Sequence, residues 1–302
     1  MNDLQYRFEQ FIKEHHLLRR GQSVLLAVSG GVDSMAMMSL FIDLAPSWQL
    51  TLAVGHVNHG LRGTESDGDE QFVRATAESH AIPFYSTRVE TKRVARETGR
   101  SKQEAARAVR YEFLDSVRRR IGADVIATAH QANDNAETVL FNALRGAGVR
   151  GLSGIPVIRR DIPTIRPLLF ATREAIEPFA HERNIAYRLD SSNLSTAYTR
   201  NFLRRTVLPE LQRTFDPFII QSLNRVAAVM GEYSRELEDR AQHRLSAIAG
   251  RERGLTAVSV SGFKSAPENV QGEMVLELIR SRARRRRRKI CAGLYVPSGS
   301  AW

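Results

Sequence analysis

The sequence predicts an α/β fold, in which a doubly wound, mostly parallel sheet is followed by a smaller helical domain. Short apolar runs recur along the first half of the chain with helix-like stretches between them, an alternation typical of βαβ units. From about residue 215 onward the pattern changes to helical periodicity without strand signals. The 302 residues, 42% of them hydrophobic, are enough for one large domain with a substantial core and a smaller second domain.

The expected strands are the four apolar runs at residues 24–28, 50–57, 83–89 and 124–130. Start signals mark the helices between them: Ser101 followed by Glu104 predicts a capping box, and Thr64 or Ser66 is expected to cap an acidic helix. Residues 255–280 are ambiguous, because their first half fits a strand and their second half fits a helix. The predicted parts are an α/β domain over 1–215, a helical domain over 216–280, and a basic, disordered tail over 281–302.

The net charge of +11 points to polyanionic partners such as nucleic acid. Eight of the positive charges lie between Arg280 and Lys289, which leaves only +3 for the rest of the chain. This run is either a polybasic arm that binds RNA without sequence preference or a solvated terminus.

Cysteine usage and hydropathy indicate the compartment. The single cysteine, Cys291, excludes an intramolecular disulfide and a multi-cysteine metal or iron–sulfur site within this sequence. No apolar run approaches the ~20 residues needed to span a bilayer, and the N-terminus lacks the apolar core of a signal peptide. We therefore expect a soluble, cytoplasmic protein with no membrane partner.

A glycine turn follows the first expected strand, where doubly wound folds bind ligands. Gly30 and Gly31 let an anion approach the backbone, and Ser29 and Ser34 add hydroxyl groups. A carboxylate beside a phosphate site is repulsive without an intervening cation, so Asp33 indicates Mg²⁺. The alternative is a plain strand-to-helix turn with Asp33 or Ser34 as the N-cap. The glycine spacing fits neither the Walker A loop nor the dinucleotide fingerprint.

Two further polar segments follow the second and fourth expected strands. The first holds His56, Asn58, His59 and Arg62, and the second holds His130, Asp134 and Glu137. Each segment alone is explained as well by an ordinary strand-end turn, or by a helix cap with its capping-box partner. Because the carboxyl ends of parallel strands share one edge of a sheet, their joint placement favours a functional site.

These segments together resemble the tRNA(Ile)-lysidine synthetases, which belong to the Rossmann-like N-type ATP pyrophosphatases, or PP-loop superfamily. The matching motifs are SGGVDS, HVNHGLR, EAARAVRYEFL, TAHQANDNAET and RGAGVRGLSGI, at 29–34, 56–62, 104–114, 128–138 and 145–155. The resemblance continues through 165–211, covers roughly the first 215 residues, and fades after about residue 255. Longer members of the family carry a further C-terminal domain that helps recognise the acceptor end of the tRNA.

The resemblance implies a ligase that joins lysine to C2 of the wobble cytidine of the isoleucine tRNA with the anticodon CAU. ATP first adenylates the C2 oxygen and releases pyrophosphate, and the amine of lysine then displaces AMP. The implied substrates are ATP, L-lysine and this tRNA(Ile), the implied metal is Mg²⁺, and a homodimer is an open alternative to a monomer.

The resemblance also implies roles for individual residues. The phosphates of ATP would be held by Ser29, Gly30, Gly31, Val32, Asp33 and Ser34, with Asp33 as the Mg²⁺ ligand. The catalytic residues would be Asp33, Arg110, His130 and Asp134, since cations must offset the charge that builds on the phosphates. The two substrates would be bound by Glu137, Asn58, His59, Arg62, Asp190, Arg200, Asn201 and Arg204. The plain alternatives are a surface salt bridge for Arg110 and a solvated helix face for Arg200 and Arg204.

Three other functions compete with this interpretation. A tRNA thiolase of the same superfamily also adenylates a pyrimidine, but sulfur transfer needs cysteines that this sequence lacks. Amide-forming relatives share the glycine turn without requiring the other motifs. The third alternative is an RNA-binding module without catalysis, against which the presence of Asp33, Arg110, His130 and Asp134 argues.

Overall fold

The computed structural model describes residues 3–60, 63–188, 199–252 and 255–291. At 92, 199–200, 251–252, 255–256 and 281–291 it describes the backbone alone. The chain divides into two compact units. The first unit comprises Met1–Ala147 and Gly154–Ala227, and the second comprises Gly148–Ser153 and Ala228–Trp302.

The first unit is built on a six-stranded sheet. Its strands are β1 (Ser23–Ala27), β2 (Thr51–Asn58), β3 (Phe84–Arg88), β4 (Val125–Thr128), β5 (Ile158–Arg159) and β6 (Thr164–Ile165). They are arranged in the order β3-β2-β1-β4-β6-β5, and every pair is parallel except β5 with β6. The predicted α/β class is confirmed, and all four apolar runs form strands. Because β1 lies between β2 and β4, the turns after these three strands share one edge.

Helices of the first unit flank the sheet. They are α1 (Asp3–Glu14), α2 (Val32–Trp48), α3 (Thr64–Ser79), α4 (Thr91–Thr98), α5 (Lys102–Ile121), α6 (Ala132–Leu144), α8 (Arg173–Glu182), α9 (Thr199–Phe202) and α10 (Leu208–Thr214). A π-helical turn, Leu203–Val207, joins α9 to α10. Helix α11 (Ile219–Ile248) begins in this unit and continues into the second.

Residues of β1 alternate between two apolar cores, which explains why helices cover both faces. Val24 and Leu26 point into a large core shared with α1, α2 and α8, whereas Leu25 points into a smaller core under α5. Helix α5 packs closely on β2, since a Cβ atom at Gly55 would lie 2.7 Å from Leu114 Cδ2. Packing on both faces fixes β1, and the glycine turn that follows it lies at the carboxyl edge of the sheet.

The helix starts follow the sequence only in part. Ser101 and Glu104 form the predicted capping box of α5. The expected cap of α3 by Thr64 or Ser66 is wrong, because its N-cap is Gly63 and no side chain bonds there. Its first turn is instead held by a tertiary contact, in which Asn58 Nδ2 donates to Asp67 Oδ1 at 2.8 Å.

The second unit contains α7 (Val149–Leu152), the rest of α11, the antiparallel strands β7 (Ala249–Glu252) and β8 (Leu255–Val258), α12 (Val260–Lys264) and α13 (Glu268–Cys291). Its small core includes Ala241, Leu245, Val270 and Met274. The ambiguous stretch 255–280 thus starts as a strand and ends in a helix. The predicted tail, 281–302, lies outside the described residues except for the helical backbone of α13. No helix among the described residues is long and apolar enough to cross a membrane.

Candidate active site

The turn between β1 and α2 is held by its own serine. Gly30 has a φ of +95°, a left-handed conformation that favours glycine, and Gly31 is the N-cap of α2. Ser34 Oγ accepts from the N–H groups of Ser29 and Gly30 at 3.2 Å and donates to the Gly31 carbonyl at 2.9 Å. Neither Asp33 nor Ser34 is the N-cap, so the plain capping alternative is wrong. The first turn of α2 directs N–H groups at this edge, which suits an anion.

An arginine that the sequence interpretation missed supports this turn from the side. The N–H of Arg188 donates to the Gly30 carbonyl at 2.9 Å, and its Nε donates to Asp69 Oδ1 of α3 at 2.6 Å. Arg188 thereby joins the glycine turn to α3. No sequence signal distinguishes it, because both contacts join residues far apart in the chain.

Asp33 lies in the first turn of α2 with an unmatched carboxylate. Its Oδ1 is buried without a hydrogen-bond partner among the described residues. Burial and, second, the negative charge of Asp134 raise the pKa of Asp33 to about 6, against the opposing charges of Arg173 and Arg204. A divalent cation at Oδ1 would supply the missing partner and offset the repulsion, so the residue fits Mg²⁺.

The remaining ligands of such a cation must come from elsewhere. Among the described residues, no group of three or more His, Cys, Asp or Glu side chains is placed to hold a metal ion. Mg²⁺ commonly binds through one or two carboxylates together with substrate phosphates and water. The site therefore matches a cation that arrives with a nucleotide.

Helix α6 presents two acids at the end of β4, and one arginine joins them. Arg204 Nη2 donates to Asp134 Oδ1 at 2.7 Å, and Arg204 Nε donates to Glu137 Oε1. Burial raises the pKa of Asp134, although the Arg204 guanidinium opposes the shift. Asp134 also accepts from the N–H of Gln131 at 3.2 Å and completes a capping box with it. The alternative that Asp134 is the cap and Glu137 its capping-box partner is therefore wrong, because Gln131 is the N-cap and Asp134 is its box partner.

Arg110 is a cation on the α5 side of the same edge. The residue is partly exposed, but its Nε is buried without a hydrogen-bond partner among the described residues. The guanidinium lies 5.5 Å from the centre of the Tyr111 ring, and burial lowers its pKa. The surface-salt-bridge alternative therefore finds no support, since a buried guanidinium nitrogen without a partner favours an anionic ligand.

At the end of β2, His59 lies at this edge, whereas Asn58 holds the turn after the strand in place. Burial and, second, the charge of Arg110 lower the pKa of His59 to about 4, so its imidazole is neutral at pH 7. Asn58 uses its amide within the protein: Nδ2 donates to Asp67, and Oδ1 accepts from the N–H of Gly60 at 3.0 Å. His59 thus lies near Arg110, whereas Asn58 holds the turn together.

The structure describes only some of the other predicted site residues. His130 Nδ1 lies 3.0 Å from Thr128 Oγ1 at the end of β4. Asn201 lies on α9, close in sequence to Arg204, and the structure describes Arg200 by its backbone alone. Arg62 and Asp190 lie outside the described residues.

A second residue that sequence reasoning missed, Arg173, lies at the start of α8. Its N–H donates to Asn133 Oδ1 at 3.0 Å, and its Nε donates to Glu177 at 2.6 Å. Its charge also opposes the raised pKa of Asp33. No local sequence signal marks Arg173, because only the folded chain brings it close to Asp33.

Comparison with known proteins agrees with this geometry. A model of the PP-loop domain family matches residues 1–211. A solved U34-tRNA thiolase from Methanococcus maripaludis has the same fold, with a TM-score of 0.61, 18% identity, and coverage of 76% of this chain and 78% of that one. The fold and the site thus define a protein of the ATP-binding PP-loop class.

Two curated relatives narrow the class. The tRNA(Ile)-lysidine synthase of Chlorobaculum tepidum is 41% identical over 239 residues, which are 79% of this chain and 70% of that protein. The tRNA(Ile)-lysidine synthase of Clostridium tetani is 35% identical over 215 residues, 71% of this chain and 46% of that protein. The chain belongs to the tRNA(Ile)-lysidine synthase family. It spans about half the length of the Clostridium relative.

Proposed function

We propose that this protein joins L-lysine to C2 of the wobble cytidine in the isoleucine tRNA with the anticodon CAU, forming lysidine with release of AMP and pyrophosphate. The observation that carries the proposal is the shared edge after β1 and β4. There Asp33, with its unmatched oxygen, interacts electrostatically with Asp134, which is ion-paired to Arg204. This arrangement supports a nucleotide site at Asp33 beside a second substrate site at Asp134 and Arg204.

The first chemical step is adenylation of the cytidine. The C2 oxygen attacks the α-phosphorus of ATP, and the bond to the β-phosphate oxygen breaks, so that pyrophosphate leaves with the bonding electrons. The backbone N–H groups at the start of α2, beside the turn from Ser29 to Ser34, would bind the phosphates. Asp33 would hold Mg²⁺, which offsets negative charge on the phosphates when it is bound. Arg110, whose buried Nε has no hydrogen-bond partner among the described residues, offsets the charge on the α-phosphate.

The second step forms the bond to lysine. The amine of lysine attacks C2, loses a proton, and AMP leaves with the electrons of the C2–O bond. His130 accepts the proton at Nε2, because its other ring nitrogen, Nδ1, lies 3.0 Å from Thr128 Oγ1. Asp134 and Glu137 bind cations, as their pairing with Arg204 demonstrates. We assign Glu137 to binding the ammonium group of lysine. Arg204 holds the carboxylates of Asp134 and Glu137 in place at the substrate site.

The remaining substrate contacts follow the same edge. His59 is neutral and lies beside Arg110, which suits a hydrogen bond to the cytidine. We assign Asn58 to stabilising the turn after β2. From the family resemblance, we assign a role in binding tRNA or lysine to Arg62, Asp190, Arg200 and Asn201. Action in the cytoplasm and assembly as a homodimer remain part of the proposal.

The test follows labelled lysine into an in vitro transcribed isoleucine tRNA with the anticodon CAU. We expect lysine incorporation that depends on ATP and Mg²⁺, with one AMP and one pyrophosphate released for each lysine. A transcript with uridine at the wobble position is the control and should stay unlabelled. Pyrophosphate release without lysine incorporation would assign another adenylating reaction to the site. No turnover with retained tRNA binding would indicate a non-catalytic RNA-binding module.

The thiolase alternative is separated by its chemistry. The solved thiolase with this fold carries a [4Fe-4S] cluster, and such clusters are held by cysteine thiolates. This sequence has one cysteine, Cys291. Lysine-dependent labelling, with no sulfur incorporated, is therefore the expected outcome.

A further inference from the structure

Two phenylalanines are exposed on a short turn between α10 and α11. Phe215 is 81% exposed and Phe218 is 65% exposed, among the most exposed large hydrophobic side chains of the described residues. Burying a phenylalanine side chain is favourable, because it removes apolar surface from water. Two neighbouring rings left in water therefore call for a partner.

The turn presents these rings on a fixed backbone. The N–H groups of Phe215 and Asp216 both donate to the Leu211 carbonyl, at 3.0 and 3.1 Å. Asp216 in turn accepts from the N–H of Phe218 at 2.8 Å and from Ser222 Oγ at 2.9 Å. Each phenylalanine thus has its own backbone hydrogen bond, so binding on these rings does not first have to order the loop.

The inward side of the same segment connects it to the candidate active site. Leu208 and Ile220 pack in one buried cluster with Ala132 and Ala136 of α6. Asn224 adds a polar link, donating to the Ala132 carbonyl at 2.9 Å. Helix α6 carries Asp134 and Glu137, and Arg204 reaches them from the π-helical turn before α10. The phenylalanine turn is therefore attached to the helix that holds the second substrate.

The charge around the turn selects the kind of partner. Residues 199–225 contain five arginines and only two carboxylates, Glu210 and Asp216. A second copy of this chain that docked through the same turn would bring these arginines against one another, so a homodimer would use another surface. A nucleic-acid strand combines negative phosphates with flat, unpaired bases, which stack on aromatic side chains.

We propose that Phe215 and Phe218 form a stacking surface for unpaired bases of the anticodon loop that delivers its cytidine to the site. The inference rests on the proposed function for the identity of the RNA, and on the exposed rings and local charge for the mode of binding. The two rings themselves contribute by stacking on bases and not by contacting phosphates. It therefore predicts dependence on an aromatic ring and little change in salt sensitivity.

The experiment measures Kd for the CAU-anticodon isoleucine tRNA transcript with the full chain. The test variant replaces both rings by leucine (F215L/F218L), which retains apolar side chains, and the rescue variant replaces both by tryptophan (F215W/F218W). Tyr6→Leu, at a 53% exposed aromatic residue on α1, is the matched control. We expect a rise in Kd of about tenfold or more for the leucine pair, near-wild-type Kd for the tryptophan pair and for Tyr6→Leu, and an unchanged slope of log Kd against log salt.

The outcomes separate this inference from the proposed function. Unchanged Kd in the leucine pair, or equal losses in the leucine and tryptophan pairs, overturns the stacking surface even if the wild type incorporates lysine. A ring-dependent Kd without lysine incorporation retains the surface and overturns the proposed reaction. A wild-type dimer that F215L/F218L converts to monomer with unchanged tRNA affinity assigns the rings to self-association instead. Thermal unfolding of each variant checks that the fold is intact.

Discussion

The two units differ in how completely their charged side chains are paired. In the first unit, Asp33 Oδ1, Arg110 Nε and Arg166 Nε are buried without hydrogen-bond partners among the described residues. Asp33 and Arg110 lie at the edge that carries the ion pairs of Arg204. The charges of this edge are therefore incomplete without a ligand.

The second unit holds an ion-pair network in which each of three glutamates contacts an arginine. Arg280 Nη1 lies 3.0 Å from Glu273 Oε1 and 3.6 Å from Glu238 and Glu277. Arg150 of α7 adds contacts at 3.5 Å to Glu238 and Glu273. Every buried side-chain oxygen and nitrogen described in this unit has a partner.

The difference shows how a binding site is told from a structural ion-pair network. Both regions combine arginine with carboxylates, and burial raises the pKa of an acid in each, Asp134 in the first unit and Glu273 in the second. Only the first unit leaves buried polar atoms unmatched, which is unfavourable unless a ligand supplies the partner. Substitutions in the first region should therefore reduce activity, whereas substitutions in the second region should reduce stability and leave activity unchanged.

The largest effect is expected at Asp33. Asp33→Asn removes the carboxylate proposed to hold Mg²⁺, so ATP-dependent pyrophosphate release should fall by about 10³-fold or more. Asp43→Asn, on the same helix but ion-paired to Arg183, is the matched control and should retain activity. Full activity of the Asp33 variant would contradict the assignment of the glycine turn.

The same variant should gain stability at neutral pH. The pKa of Asp33 is raised from 3.8 to about 6 in the folded chain, so the folded state binds its proton more tightly than the unfolded state. Ionised Asp33 therefore lowers the free energy of unfolding as pH rises from about 4 to 6, and the loss is complete above that range. We expect Asp33→Asn to be more stable than wild type by about 2 kcal/mol at pH 7.5 and equal to it at pH 4. Urea unfolding at the two pH values measures the difference, and a less stable variant at pH 7.5 would contradict it.

Arg204→Met should reduce both activity and stability. It leaves Glu137, whose side chain is 8% exposed, without the guanidinium that neutralises it, so a loss of about 2–3 kcal/mol is expected at pH 7.5. The loss should shrink as the pH falls, because burial raises the pKa of Asp134, the other partner of Arg204, and a protonated carboxyl group no longer needs the cation. Lysine incorporation should fall by about 100-fold.

The control for Arg204 lies one helix further along. Arg213 forms an exposed pair with Glu210 at 2.6 Å, so Arg213→Met should change stability by less than about 0.5 kcal/mol. Equal losses in the two variants would remove the distinction between the site and an ordinary ion pair.

The smallest effect is expected in the second unit. Arg280→Met removes one of two arginines from the acidic cluster, and Arg150 remains to contact Glu238 and Glu273. The free energy of unfolding should fall by about 1 kcal/mol. Lysine-dependent AMP release at saturating tRNA should stay at the wild-type rate. A loss of that rate would show that the paired network of the second unit acts in the reaction.

Much of the fold was predictable because it depends on local patterns. The four apolar runs became β1 to β4, and Ser101 with Glu104 formed the expected capping box of α5. The start of α3 was not predictable in this way, since Asn58 holds its first turn from β2. Short strands such as β5 and β6 are two residues long, too short for a periodic signal.

The sequence by itself determined the α/β class, the glycine turn with Asp33, and the set of polar residues that follow β2 and β4. These features depend on residue type and spacing, which local sequence specifies directly. Which charges meet depends on the tertiary structure: Arg204 pairs with Asp134 and Glu137, Arg188 with Asp69 and the Gly30 carbonyl, and Arg110 Nε has no partner among the described residues. The tertiary structure decided this because these groups are distant in the chain, and only packing on a shared sheet edge fixes their separations and burial.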